Sequence, residues 1–293
     1  MTFFVFILFL LVNFIYVKIW KKFSDQVPSG IGILLVIPFF FYYIDLNLSL
    51  LSSLLVLAFV ILYFMDDIKG IHFSFRIILQ ILASFVIYFS YSLEFNFIII
   101  FLNLFFFITL VNSLNFQDGE DLNIAVLLIF IFTIFYLYSN NEVIENFSKI
   151  ILLFLITFSL FNFKKNYLYL GDSGCYVASI IIFLVTYDQI NNLLLIKLLI
   201  ATLFFPIVDV LYVIVYRFFK NENLLSRNYL HVYQILAKKT KVKLYLLPNI
   251  FFAILNILIS LNFVFGLTLI LILIFANLSF LFAVRLIIKK FTN

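Results

Sequence analysis

Residues 48–70, LSLLSSLLVLAFVILYFMDDIKG, decide how the rest of the chain is read. From Leu48 to Met65 no side chain is charged; then two carboxylates, Asp66 and Asp67, follow in a row. A helix that crosses a bilayer needs about 20 apolar residues, with a range of roughly 17–25. The stretch therefore reads as a spanning helix that ends in an acidic pair at the membrane surface. Spanning barrels show alternating apolar and polar residues instead of continuous runs, so the fold class is all-α.

The same pattern recurs along the chain. Of its 293 residues, 66% are hydrophobic and only 11% charged, against about half and a quarter in soluble domains. Such a surface would be one unbroken apolar patch in water. Eleven apolar segments are expected: 2–20, 30–46, 48–65, 74–91, 94–111, 122–139, 148–163, 173–187, 192–218, 244–262 and 264–287. The second, seventh and eighth are short, and Pro38 and Pro206 are expected to kink their segments. The whole chain, 1–293, reads as one polytopic bundle of about 10–11 helices with neither a soluble domain nor a Gly/Ser linker. Residues Met1–Trp20 lack a basic leader and a small-residue cleavage site, so they read as a retained helix. A single cysteine, Cys175, excludes an internal disulfide.

Charge orients this bundle. If the N-terminus is placed outside, every one of the 19 Lys and Arg residues except Lys149 and Lys197 falls on the face of the odd-numbered loops and the C-terminus. Basic residues mark the cytoplasmic side, so the C-terminus is expected there, and the basic excess implies no nucleic acid. The outer acids Asp45, Glu94, Glu142, Glu145 and Asp188 read as solvated charges. The cytoplasmic acids gather in three loops: Asp66 and Asp67; Asp118, Glu120 and Asp121; and Asp172.

Each loop admits two readings. Asp66 and Asp67 are either a helix-end pair in water beside Lys69 or carboxylates compensated by a cation; Mg²⁺ prefers such oxygens and bridges them to phosphates. In VNSLNFQDGEDLN, residues 111–123, Asn112, Asn115 and Asp118 recur every third residue and share a helix face. Amides and acids there suit a nucleobase, a sugar or a metal-bound water, or else form a polar turn. In LYLGDSGCY, residues 168–176, Asp172 either caps a helix or holds metal while the flanking glycines admit a phosphate. The basic loop 217–243 offers Arg217, Arg227, His231, Tyr233 and Gln234; His231 suits a phosphate, whereas Lys238–Lys243 reads as a topological or lipid-facing charge run. His72 reads as interfacial, and Asp209, near Pro206, as either functional or bonded to the helix opened by the proline.

In this order the motifs resemble the polyprenyl-phosphate N-acetylhexosamine-1-phosphate transferases, a superfamily that includes the phospho-MurNAc-pentapeptide translocase and the GlcNAc-1-phosphate transferases. DDIKG with downstream Arg76 and Gln80 resembles the family's Asp-Asp loop. NSLNFQDGEDL resembles N-x-x-N-x-x-D-G-x-D-G-L, and FNFKKNYLYLGDSG resembles F-N-x-x-P-A-x-x-F-x-G-D-x-G-S. Pro206–Asp209 and HVYQIL at residues 231–236 follow in the family's order, so the resemblance covers about residues 60–240. It implies that a polyprenyl (undecaprenyl) phosphate attacks the β-phosphate of a UDP-N-acetylamino sugar, with Mg²⁺ or Mn²⁺ present, giving polyprenyl-diphosphate sugar and UMP.

By that resemblance Asp66, Asp67 and Asp118 are expected to be catalytic, contacting or activating the lipid phosphate. Asn112, Asn115, Asp121, Lys69, His231 and Arg227 are expected to bind substrate, and Asp172 with Asp118 to hold metal. It further implies a bacterial inner-membrane enzyme with a cytoplasmic site, O-antigen-like envelope synthesis, and a homodimer as one assembly. The chain also departs from the pattern. Leu122 replaces a Gly, Lys164 and Lys165 replace apolar or Pro positions, Cys175 replaces a small residue, and a histidine-rich motif is reduced to His231 with Tyr233 and Gln234. SDQVPSGIG, residues 24–32, resembles a shortened N-terminal loop without its His and Arg. Competing readings are a transporter, which would carry its polar groups near mid-membrane, and an inactive family member.

Overall fold

A computed structural model describes residues 2–43, 50–91, 96–223, 229–239 and 243–290. All regular structure among them is helical. The order is α1 (Thr2–Phe23), a 3₁₀ turn (Ile31–Leu35), α2 (Val36–Tyr43), α3 (Leu50–Lys69), α4 (Phe73–Tyr91), α5 (Phe97–Gln117), α6 (Asn123–Tyr138), α7 (Glu142–Asn162) and α8 (Gly171–Asp188). Then follow α9 (Leu193–Phe219), the short α10 (Val232–Lys239), a 3₁₀ turn (Leu244–Leu246), α11 (Leu247–Asn262) and α12 (Leu267–Lys290). Each of the eleven apolar segments meets a helix. The polar α10 had no apolar run to announce it.

Six of the described helical spans, α1, α5, α7, α9, α11 together with the 3₁₀ turn before it, and α12, are long and apolar enough to cross a membrane. Their outward faces carry exposed Phe and Leu, such as Phe4, Leu11, Phe101, Phe106, Phe251, Leu271 and Phe275. Leaving one such side chain in water forgoes about 1.5–3 kcal/mol, so lipid is the solvent these faces fit.

The chain forms two compact units, Met1–Ile190 and Asn191–Asn293. In the first, α8 is the hub, packed against α3, α5 and the first 3₁₀ turn. It buries a continuous run from Ser173 to Val185. Polar side chains tie its neighbours together: Asn103 of α5 donates to the hydroxyl and carbonyl of Ser84 of α4 at 2.8 and 3.0 Å, and accepts from Tyr187 of α8. On the flank, Asn13 of α1 donates to Thr157 of α7 at 3.3 Å. Such interhelical bonds contribute about 0.6 kcal/mol each in a membrane.

In the second unit, α9, α11 and α12 pack on Phe205, Phe252, Phe280 and Leu281, with Val232 of α10 in the same core. Asn256 and Asn277 exchange bonds between α11 and α12 at 3.3 and 3.1 Å. Asn256 also donates to the Ala201 carbonyl, 3.2 Å away and just before Pro206. Asn256, and not Asp209, serves the helix beside the proline; α9 runs through it without a break.

Candidate active site

The acidic end of the first unit is built around the start of α8. The residue at the cap position, Leu170, offers no side-chain acceptor. The orphan N–H groups of the first turn are met instead by Asp67, from the end of α3. Its Oδ1 accepts from the Asp172 N–H at 2.8 Å, and its Oδ2 accepts from the Ser173 N–H at 3.1 Å and the Ser173 hydroxyl at 2.5 Å. A carboxylate at a helix N-terminus is also favoured by the dipole. Asp67 is thus a cap supplied from more than 100 residues away.

Asp66, its neighbour, points elsewhere, because successive residues are turned about 100° around a helix. Its side chain is 1% exposed and lies 2.7 Å from Arg76 Nε, with Arg76 Nη2 donating to Oδ1 at 2.9 Å. It also accepts the Ile71 N–H, closing the α3–α4 turn. Arg76 in turn donates through Nη1 to Asp172 Oδ2 at 2.9 Å. Asp66 therefore holds Arg76, and Arg76 holds Asp172.

Asp118, the C-cap of α5, accepts the Gly171 N–H at 3.2 Å through Oδ2. Burial, and then the charges of Asp172 and Asp67, push its carboxyl well above the usual range. Burial likewise pushes Asp67 up to about 6, against the pull of the Ser173 hydroxyl and with a further push from Asp172. Asp121 is buried nearby and adds its charge to the same field. Among the described residues, the carboxyl groups here outnumber the guanidinium of Arg76.

The amides of the third-residue pattern divide. Asn112 donates to Gln80 Oε1 at 3.1 Å, and Gln80 donates to the Tyr176 hydroxyl at 3.2 Å. Tyr176 is stacked on Tyr63 with ring centroids 3.4 Å apart, and the Tyr63 hydroxyl donates to the Arg76 carbonyl at 3.3 Å. Asn112 thus belongs to the support beneath Arg76. Asn115 is half-buried and engages Asp118 only through its backbone carbonyl, which accepts the Asp118 N–H at 3.1 Å. Lys69 is exposed at the end of α3.

Two supports had no role assigned from the sequence. Asn162, inside the quoted FN pair, accepts the Leu122 N–H through Oδ1 and donates to the Leu168 carbonyl at 2.6 Å. It ties the Asp118–Asp121 loop to the strand of chain leading into Gly171. Leu122 has φ +65°, a left-handed conformation suited to glycine, which explains why the family pattern has Gly there. The second support is the 24–32 loop. Gly32 N–H donates to the Leu170 carbonyl at 3.0 Å and Tyr169 N–H to the Pro28 carbonyl at 2.8 Å. A Cβ on Gly171, at φ +85°, would lie 2.4 Å from Gly30 N, and one on Gly174 would lie 2.8 Å from Gly32 Cα. Both glycines thus allow a close approach by the backbone of residues 30–32.

In the second unit His231 is buried, with Nδ1 3.0 Å from Asp209 Oδ2. Arg285 Nη2 lies 3.4 Å from Asp209 Oδ1. Asp209 is therefore part of the His231 cluster. Arg227 lies outside the described residues. His72 is exposed, and its carbonyl accepts N–H groups of the first turn of α4.

Among the described residues no three His, Cys, Asp or Glu side chains converge as a preformed metal cage. Mg²⁺ does not ask for one, since it is usually held by one or two carboxylates with water and substrate phosphate. A crowded set of hard oxygens, short of positive charge, fits that mode.

A search of curated proteins found no significant match to the chain. The model of glycosyl transferase family 4 matches residues 48–190, which run from α3 to the end of the first unit and carry Asp66, Asp67, Asp118, Asp121 and Asp172. The stretch that carries the acids of this site is the stretch that is similar to glycosyl transferase family 4.

Proposed function

We propose that the chain transfers an N-acetylamino sugar-1-phosphate from a UDP-sugar to polyprenyl phosphate. The observation that carries this reading is the gathering of Asp67, Asp118 and Asp172, with Arg76, on the first turn of α8. A diphosphate substrate with a divalent cation supplies the positive charge those acids lack and the negative charge a guanidinium meets. All of these groups sit at helix ends, as a surface site requires; a transport path would place them at mid-span.

An oxygen of the lipid phosphate attacks the sugar-bearing β-phosphorus, the bond to the UMP oxygen breaks, and UMP leaves with that electron pair. When bound, Mg²⁺ neutralises charge on the diphosphate. The chain's residues position and neutralise. Asp172 and Asp118 are the acids best placed to take the metal. Asp67 fixes the turn that carries Asp172, and Arg76, with Asp66 behind it, sets the Asp172 carboxylate and offers charge to a phosphate. A lipid phosphate is already ionised near neutral pH, so orientation and electrostatics outweigh proton removal. Asn115, Asp121 and Lys69 are candidates for contact with the nucleotide-sugar, and His231 and Arg227 are candidates for contact with phosphate. The basic-face bias supports a cytoplasmic site in a bacterial inner membrane, serving envelope polysaccharide synthesis.

Purified protein incubated with polyprenyl phosphate, Mg²⁺ and a panel of UDP-N-acetylamino sugars tests the reading. The expected result is a polyprenyl-diphosphate sugar identified by mass for at least one sugar. No lipid-linked product across the panel sinks it.

A further inference from the structure

The last helix, α12, ends in a run of cations that serves as a topological mark in the sequence, yet one of them is drawn into the second unit. The Arg285 side chain is only 16% exposed. Its Nη2 donates to the Leu230 carbonyl at 3.0 Å and lies 3.4 Å from Asp209 Oδ1. Its guanidinium carbon sits 4.1 Å from the centroid of the Tyr212 ring, which braces the planar group through a cation–π contact.

These contacts close around one residue. Asp209 Oδ2 meets His231 Nδ1 at 3.0 Å, and Asp209 Oδ1 accepts the Val232 N–H at 3.4 Å. The chain is thus held on both sides of His231, at the Leu230 carbonyl and the Val232 N–H, and again at the ring itself. Arg285 supplies the first hold directly. It underwrites the other two through charge, because Asp209 is 1% exposed within α9, and a carboxylate buried in a spanning helix needs a countercharge. An ionised Asp209 only accepts, so it selects the imidazole tautomer with the proton on Nδ1 and assigns phosphate contact to Nε2.

We propose that Arg285 is a positioning residue for His231, acting through Asp209 and the Leu230 carbonyl to fix the ring's tautomer and aim. Its value for the reaction rests on the reading of His231 as a phosphate ligand; its action on the ring does not.

The chain has two histidines, so a His72→Gln background leaves His231 as the sole reporter. In that background, ¹⁵N-histidine NMR of the full chain in lipid nanodiscs is expected to show one Nδ1–H tautomer. Arg285→Gln is expected to convert it to a tautomer mixture and to lower kcat/KM roughly 10- to 100-fold, the scale of a misaimed group. Arg285→Lys, which keeps the charge but not the fork, is expected to restore part of both, and its spectrum decides the matter if the glutamine variant does not fold. Unchanged His231 signals in the substituted protein overturn the proposal whatever the activity. Converted signals with unchanged kcat/KM keep Arg285 as the positioning residue and overturn the phosphate role of His231.

Discussion

At the start of α8 four carboxyl groups gather, Asp66, Asp67, Asp118 and Asp172, and among the described residues one guanidinium, Arg76, pairs with two of them, Asp66 and Asp172. Around His231 one carboxylate, Asp209, meets one guanidinium and one imidazole. The first cluster crowds carboxyl groups with too little countercharge among the described residues, and this setting lifts Asp67 and Asp118 out of the usual range. In the second, among the described residues, one acid is matched by one guanidinium. A cluster short of countercharge is suited to taking up a cation, whereas a matched one is suited to holding a ring in place. The difference separates residues expected to meet substrate from residues expected to aim others.

The comparison breaks first at Asp172. Asp172→Asn keeps size and an acceptor for Arg76 but removes the charge, and is expected to lower kcat by roughly 10³-fold, the scale of a lost electrostatic contact to the transition state; steady-state product formation measures it. Asp66→Asn is expected to act through stability. It loosens a pair whose acid is 1% exposed and whose arginine is 27% exposed, costing about 2–4 kcal/mol once screening at the arginine is allowed for, read as a lowered Tm in detergent. Asn162→Ala leaves the Leu122 N–H and Leu168 carbonyl without their partner, costing about 1–3 kcal/mol by the same assay. Mg²⁺ at about 100 times its Kd should raise wild-type stability by about 2.7 kcal/mol and leave Asp172→Asn nearly unmoved. A similar rise in both would show that the crowded carboxyl groups are not the metal's seat. The smallest effect is expected from Leu122→Gly: relief of the left-handed strain offsets the added chain entropy, for a net change within about 1 kcal/mol.

The helices were legible in the sequence because lipid solvation writes itself as continuous apolar runs, such as residues 48–65 ahead of Asp66. That Asp66, Asp118 and Asp172 belong together was legible too, since each follows or precedes such a run. Their division of labour was not. Asp66 and Asp67 are adjacent in sequence yet serve Arg76 and the α8 cap, and the second partnership spans 105 residues with no local pattern to betray it. The glycines at 171 and 174 were legible as places of close approach, but the approaching group, the backbone of residues 30–32, comes from a loop whose resemblance to the family carried no assigned role. Arg285 was hidden for the opposite reason: among basic residues that mark a membrane face, one drawn inward to a buried acid looks like all the others.

UMP release by the purified wild-type protein, with polyprenyl phosphate and its UDP-sugar, followed as Mg²⁺ is withdrawn and restored, tests the central claim most directly. The carboxyl-crowded site at α8 predicts release that needs the lipid phosphate, stops on chelation and returns with the cation. Release that continues undiminished after chelation, or that ignores the lipid phosphate, would contradict it.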